Sequence, residues 1–307
     1  MDPIPTASQW NLVSTIPGRR EMFSTDLYFR ECWVDFAEIF GAKTEQALQS
    51  LTLLSLKPDA VVGRRAEAIV DYVASRGFCP VATIPVSLNR HSIRELWRYD
   101  WNAFPVDRIE FSTLWYTSTD VLVFILEDLQ AADGTPASGR LSPMKGGPDA
   151  RLRAPDSLRT LLRPPNRILN FVHMADEPGD LVRELGIFFD RETRRELLTC
   201  IAGRMGSSWI GEARSEIATL EARYPGHDLD LTASIQRLQD SGATNPRIIQ
   251  QMMAQMNRGE PASWPQLISQ VDPFASNVSR WDFIVLSTHL MQAERPVPSP
   301  GDPASKY

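Results

Sequence analysis

Leu51-Thr52-Leu53-Leu54-Ser55-Leu56-Lys57-Pro58-Asp59-Ala60-Val61 is the stretch on which the fold turns. Leu51 to Leu56 is an apolar run too short for a free-standing helix. Lys57-Pro58-Asp59 cuts it off, so it reads as a buried strand followed by a turn. Beyond the turn, residues 63–75 place Ala66, Ile69, Val70 and Val73 on one helical face. Gly77 ends that helix, because glycine accepts the left-handed conformation without strain.

Reading toward the C-terminus, residues 79–88 form a second strand, and Pro85 marks it as an edge or bulged one. Helices follow over 90–98 and 107–116, then a third strand from Val121 to Leu126. Residues 129–157 read as a long Gly-, Pro-, Ala-, Ser- and Asp-rich loop, a length that usually signals function or disorder. A short helix over 156–162 and a fourth strand from Arg167 to Val172 come next. Asp176 then caps a helix with Leu181, Val182, Leu185, Phe188 and Phe189 on its inner side. This order of elements predicts an α+β fold, a ferredoxin-like antiparallel sheet covered by helices.

Toward the N-terminus, residues 24–40 read as a helix opened by Ser24 or Thr25, with Phe29, Trp33, Phe36 and Phe40 as its core face. The first residues, with Pro3, Pro5, Pro17 and Gly18, read as an arm. From residue 191 onward no strand pattern remains. Segments 191–205, 209–223, 231–240, 244–257 and 280–293 all carry helical spacing, with Met252, Met253 and Met256 as core filler. The expected organisation is an N-terminal arm and helix (1–47), the α+β domain (48–190), a helical extension (191–293) and a disordered tail (294–307).

The composition, 43% hydrophobic and 23% charged, is that of a soluble globular protein. A net charge of -6 argues against a protein that coats nucleic acid, so no nucleic-acid partner is expected. Cys32, Cys79 and Cys200 are scattered, odd in number and fit no zinc spacing, which favours a reducing compartment and assigns no metal-ligating residues. No leader-like N-terminus and no apolar run of membrane-spanning length is present. A soluble, cytoplasmic protein without a membrane partner is expected.

One region departs from the acidic balance. Between Arg140 and Arg167 stand Arg140, Lys145, Arg151, Arg153, Arg159, Arg163 and Arg167 against only Asp149 and Asp156. Guanidinium groups grip phosphates bidentately, so this run points to a polyphosphate site, with a solvated basic loop as the plain alternative. Just beyond lies Asn170-Phe171-Val172-His173, followed by Asp176 and by Glu184 on a helix. A neutral imidazole aimed from a strand end can take a phosphoryl group if fixed cations surround it. Taken alone, a single histidine more often serves packing.

These two motifs, Leu53 to Val61 and Asn170 to Glu184, stand in the order seen in nucleoside diphosphate kinases, and the stretch from about Leu51 to Phe189 resembles that family. The resemblance implies an enzyme that moves the γ-phosphate of ATP or another nucleoside triphosphate, with Mg²⁺, through a phosphohistidine to a nucleoside diphosphate or another small-molecule acceptor. It implies His173 as nucleophile, Glu184 as the group orienting its ring, and Lys57 as a phosphate contact with a catalytic role. Arg140 and Arg163 match the family's phosphate arginines, and Asn170 its nucleotide contact. Trp97 matches a tyrosine near the site, and Trp101 or Phe104 offers a face for the base. For each of these the residue-level alternatives are a solvated surface or ordinary core packing.

The chain also departs from the family. Ala175 replaces a serine two residues after the histidine, Met174 replaces a glycine, and Lys145-Gly146-Gly147 stands where a threonine is expected. The remodelled loops bear on whether the family's homo-oligomers form. The rival reading is a non-catalytic nucleotide sensor or interaction module that reports through the C-terminal helices; a related one is another nucleotide-using reaction in a specialised pathway.

Overall fold

The computed structural model describes residues 4–101, 106–130, 134–242, 246–260, 268, 269, 271 and 278–292. Four strands, β1 (Leu51–Leu56), β2 (Phe78–Val86), β3 (Val121–Asp128) and β4 (Val172–Met174), form one antiparallel sheet in the order β2-β3-β1-β4. β1 and β3 are buried at every position, because helices cover both faces. The fold is α+β, as the order of elements leads one to expect.

Sixteen helices carry labels in chain order. Four precede the sheet: α1 (Ala7–Val13), α2 (Arg19–Thr25), α3 (Leu27–Phe40) and α4 (Thr44–Ser50). Seven lie among and after the strands: α5 (Pro58–Val62), α6 (Ala66–Ser75), α7 (Arg90–Leu96), α8 (Val106–Tyr116), α9 (Ala137–Lys145), α10 (Leu158–Leu162) and α11 (Pro178–Phe188). The extension supplies α12 (Arg191–Arg204), α13 (Ile210–Arg223), α14 (Leu231–Asp240), α15 (Pro246–Asn257) and α16 (Arg280–Gln292). None of the described helices is long and apolar enough to cross a membrane.

The N-terminal arm is a correction: it folds into α1 and α2. Thr6 and Gln9 form a capping box, each side chain bonding the other's backbone N–H, and this starts α1. Trp10, Val13 and Phe23 are then buried, with Trp10 stacked on Phe29 at 5.7 Å. Burying such side chains contributes about 1.5–3 kcal/mol each, enough to offset the ordering of two short helices. Ser24 and Thr25 close α2 rather than open α3. Asp26 does the latter, its carboxylate accepting from the Phe29 N–H at 2.9 Å.

β2 is an edge strand and bulged, but the bulge falls at Pro80/Ala82, and Pro85 stays in register with Leu122. The outer edge of β2 is not left open. The Trp209 N–H donates to the Pro80 carbonyl at 3.2 Å and Arg204 Nη1 to the Val81 carbonyl at 3.4 Å, while α12 and α13 pack on the strand. Gly77 has a φ of 84°, and a side chain there would collide with Gln130. The expected loop at 129–157 contains α9, which holds Pro143 internally.

The fourth strand is later and shorter than its apolar pattern suggests. Asn166 accepts the Ile168 and Leu169 N–H groups at 2.9 Å each, so these donors serve a turn instead of a ladder. Phe171 then takes a φ of 72°, and only from Val172 does the chain pair with β1. α3 lies along α11 and α12, and α16 packs on α8, α14 and α15. Met252 is buried, with Met253 and Met256 against the same core. The tail at 294–307 and Phe104 lie outside the described residues.

Candidate active site

The register of the sheet assembles the site. His173 on β4 faces Ser55 across the ladder, and Lys57 is two residues beyond Ser55, hence on the same face. The Lys57 N–H continues the pairing by donating to the Phe171 carbonyl at 2.9 Å. Both side chains line a cavity of about 450 Å³, whose walls also include Trp97, Lys145, Arg159 and Asp176.

His173 Nε2 lies 2.7 Å from Glu184 Oε1 on α11. A carboxylate there keeps the proton on Nε2 and leaves the Nδ1 lone pair without a partner among the described residues. Glu184 is 4% exposed, and its second oxygen, Oε2, has no hydrogen-bond partner among them either. The Trp97 ring meets the imidazole edge-on at 5.6 Å and itself stacks on Trp101 at 4.9 Å.

Lys57 Nζ donates to Asn170 Oδ1 and, at 3.2 Å, to the Ile168 carbonyl, and lies 4.7 Å over the Trp115 ring. Burial pushes its pKa down, partly opposed by the neighbouring Asp59 carboxylate. Asp59 is itself pushed up by burial, against the pull of Lys57, and accepts from the Phe171 N–H at 2.7 Å. That bond holds Phe171 in its left-handed conformation and so sets the path of the chain into β4. Asn170 Oδ1 thus joins Lys57 to Arg159.

Lys145, Arg159 and Arg167 are the cations of the basic run that line the cavity. Arg159 donates to the carbonyls of Asn170 (3.2 Å), Gly146 (2.8 Å) and Val172 (2.9 Å), and burial lowers its pKa to about 10. Lys145, also lowered by burial, stands 3.4 Å from Asp176. Burial alone would raise Asp176, but Lys145 and the Ser142 hydroxyl outweigh it and hold its pKa below the ordinary value.

Arg140 and Arg163 are not brought to this cavity. Arg140 pairs with the buried Asp128 and covers the Phe78 ring at 5.2 Å. Arg163 caps the end of α10 with a φ of 53°, and its side chain is exposed. The reason is helical geometry: Arg159, one turn earlier on α10, points inward, and the chain has left the helix by Arg163. Arg159 and Lys145 stood in the same basic run, but charge alone could not separate them from their neighbours. Asp100, also on the cavity wall, had no sequence signal. Among the described residues no cluster of three or more His, Cys, Asp and Glu side chains could hold a metal ion.

No protein-family model matches the chain, and no curated protein does. Among solved structures it is similar to the nucleoside diphosphate kinase of Aquifex aeolicus, at 24% identity over 47% of this chain and 96% of that one, with a TM-score of 0.39. It is similar to a halophilic nucleoside diphosphate kinase from Halobacterium salinarum in complex with CDP, at 21% identity over 47% and 90% of the two chains, with a TM-score of 0.39. An NDP kinase from Pyrobaculum aerophilum is similar at 19% identity over 47% and 97%, with a TM-score of 0.36. Likeness at this level does not extend to activity.

Proposed function

We propose that the chain is a nucleotide-dependent phosphotransferase of nucleoside diphosphate kinase type, in which a Mg²⁺–nucleoside triphosphate enters the cavity and His173 Nδ1 takes its γ-phosphoryl group. The contact of 2.7 Å between His173 Nε2 and Glu184 Oε1 carries this reading, because it fixes the ring by one nitrogen and leaves the other, Nδ1, as the nucleophile. The Nδ1–phosphorus bond forms as the bond to the bridging oxygen breaks, and the nucleoside diphosphate leaves. Lys57, Lys145 and Arg159 neutralise the charge on the phosphate oxygens, which is the main task of a protein in such a transfer. A bound polyphosphate opposes the lowering of the Lys57 pKa by burial and favours its charged form. Trp97 and Asn170 position the nucleotide. The phosphoryl group then passes to a nucleoside diphosphate or another small acceptor. The reacting unit is the segment 48–190, drawing on the cytoplasmic nucleotide pool.

The test is incubation with γ-labelled ATP. An acid-labile, alkali-stable label that is lost in His173→Ala is expected. A His173→Ala protein that labels as strongly as the parent overturns the assignment. The sensor reading has one observation in its favour: Met291, on α16 of the extension, is part of the cavity wall, so occupancy could be felt there. Tight nucleotide binding without any label would favour it.

A further inference from the structure

We propose that Asp100 is a catalytic base that takes the proton of a hydroxyl acceptor, so that the phosphoryl group of His173 passes to a small alcohol of neutral or positive charge. The inference rests on the phosphohistidine reading above and names the acceptor class for that site.

Asp100 follows α7 and stands in the wall of two chambers. One is the main cavity with its cations. The other is a side chamber of about 230 Å³ formed with Pro17, Gly18, Arg19, Met22 and Tyr99. The two chambers share Asp100, His173, Met174 and Asp176. The charged groups that act on the Asp100 carboxyl are Arg19, His173, Asp176 and Arg183.

The two arginines among these are already committed. Arg19 donates to Asp180 at 2.7 Å. Arg183 donates to Asp26 at 2.8 Å and to the carbonyls of Leu96 and Glu95 at 3.3 and 2.5 Å. Asp176 is engaged by Ser142 and Lys145. The Asp100 carboxyl has no hydrogen bond or ion pair among the described residues. Burial raises its pKa, with Arg19 and His173 pulling the other way, which makes it a stronger base than an ordinary aspartate.

A carboxylate beside the reacting histidine is a hindrance if the acceptor is a phosphate. The terminal oxygen of a diphosphate is already anionic, needs no base and is repelled. A hydroxyl must shed its proton as it attacks, and a positioned carboxylate speeds that step by roughly 10²–10⁴-fold. The step balances simply. The alcohol oxygen bonds to phosphorus, the phosphorus–Nδ1 bond breaks with its electron pair returning to the imidazole, and the alcohol proton goes to Asp100. On the side chamber's wall four carboxyl groups, Asp100, Asp176, Asp180 and Glu184, stand against two guanidinium groups, Arg19 and Arg183, that are already paired with carboxylates, so an acceptor seated there is neutral or cationic.

The test uses the full chain labelled with γ-labelled ATP, freed of nucleotide and chased with either ADP or glycerol. In Asp100→Asn the ratio of glycerol to ADP discharge is expected to fall ten-fold or more, with Asp100→Glu recovering part of it. An unchanged ratio overturns the proposal, as does a labelled parent protein that discharges to ADP but not to glycerol. Should Asp100→Asn not fold, the parent's pH profile decides. Glycerol discharge must rise as Asp100 ionises while ADP discharge does not follow, and parallel profiles overturn the proposal. A chain that never takes label fails earlier, at the phosphohistidine itself.

Discussion

Substituting Ala175→Ser probes the least satisfied part of the site. Glu184 uses Oε1 to hold His173 at 2.7 Å, while Oε2 is buried with no partner among the described residues. A buried acceptor left unmet costs about 1–3 kcal/mol, and a hydrogen bond to a charged group contributes about 1.5–3 kcal/mol. Ala175 is fully buried at the end of β4, at the position where the resembled family carries a serine within this network. If the new hydroxyl donates to Oε2, stability rises by about 1–2 kcal/mol. At about 2–4 °C per kcal/mol for a chain of this order of size, Tm rises by roughly 2–8 °C. A better-held carboxylate also steadies the imidazole, so His173 labelling by ATP should quicken by about five-fold if about 1 kcal/mol of this bond is felt in the transition state, with nucleotide affinity unchanged. Thermal unfolding and single-turnover labelling read the two effects separately. A hydroxyl that finds no partner is itself an orphan and lowers Tm. A fall in Tm with no gain in rate refutes the reasoning and shows that Glu184 does not await a donor at this position.

Lys57→Met and Arg159→Met should each weaken triphosphate binding about ten-fold while sparing monophosphates, as titration by calorimetry will show. Arg140→Ala should leave that affinity within about two-fold yet destabilise the fold by about 3–5 kcal/mol, because it strands the buried Asp128 carboxylate; denaturant unfolding checks this. Burial raises the pKa of Asp180 to about 6, against the pull of Arg19. The folded chain therefore holds that proton where the unfolded chain has lost it, and stability falls as pH rises from about 4 through 6. Asp180→Asn should flatten the curve in that window relative to the parent, and an identical slope would contradict the assignment.

The sheet was legible because its strands are continuous apolar runs between turn residues, and β1 and β3 fall where Leu51–Leu56 and Val121–Leu126 stand in the sequence. α1 was legible too, in Thr6 and Gln9, but the flanking prolines pointed the other way. β4 was misplaced because Ile168 and Leu169 are apolar yet spend their N–H groups on a side chain, which hydropathy does not register. In the site, Lys57, Asn170 and His173 line one cavity, with Glu184 bonded to His173. Arg140 and Arg163 do not, since which turn of α10 faces inward depends on packing from elsewhere. Asp100 matters only through the chambers that meet at it, a property of three-dimensional placement alone.

The sealing of β2 has a consequence for how copies of this chain can meet. A bare edge strand is a template on which a second sheet can grow. Here the Pro80 and Val81 carbonyls already have donors from the extension, and two helices lie over the strand. A homo-oligomer that continued the sheet from β2 must therefore first peel α12 and α13 from it. The same seal guards against runaway β-pairing, so a chain cut near residue 190 would expose an unguarded edge and be expected to precipitate.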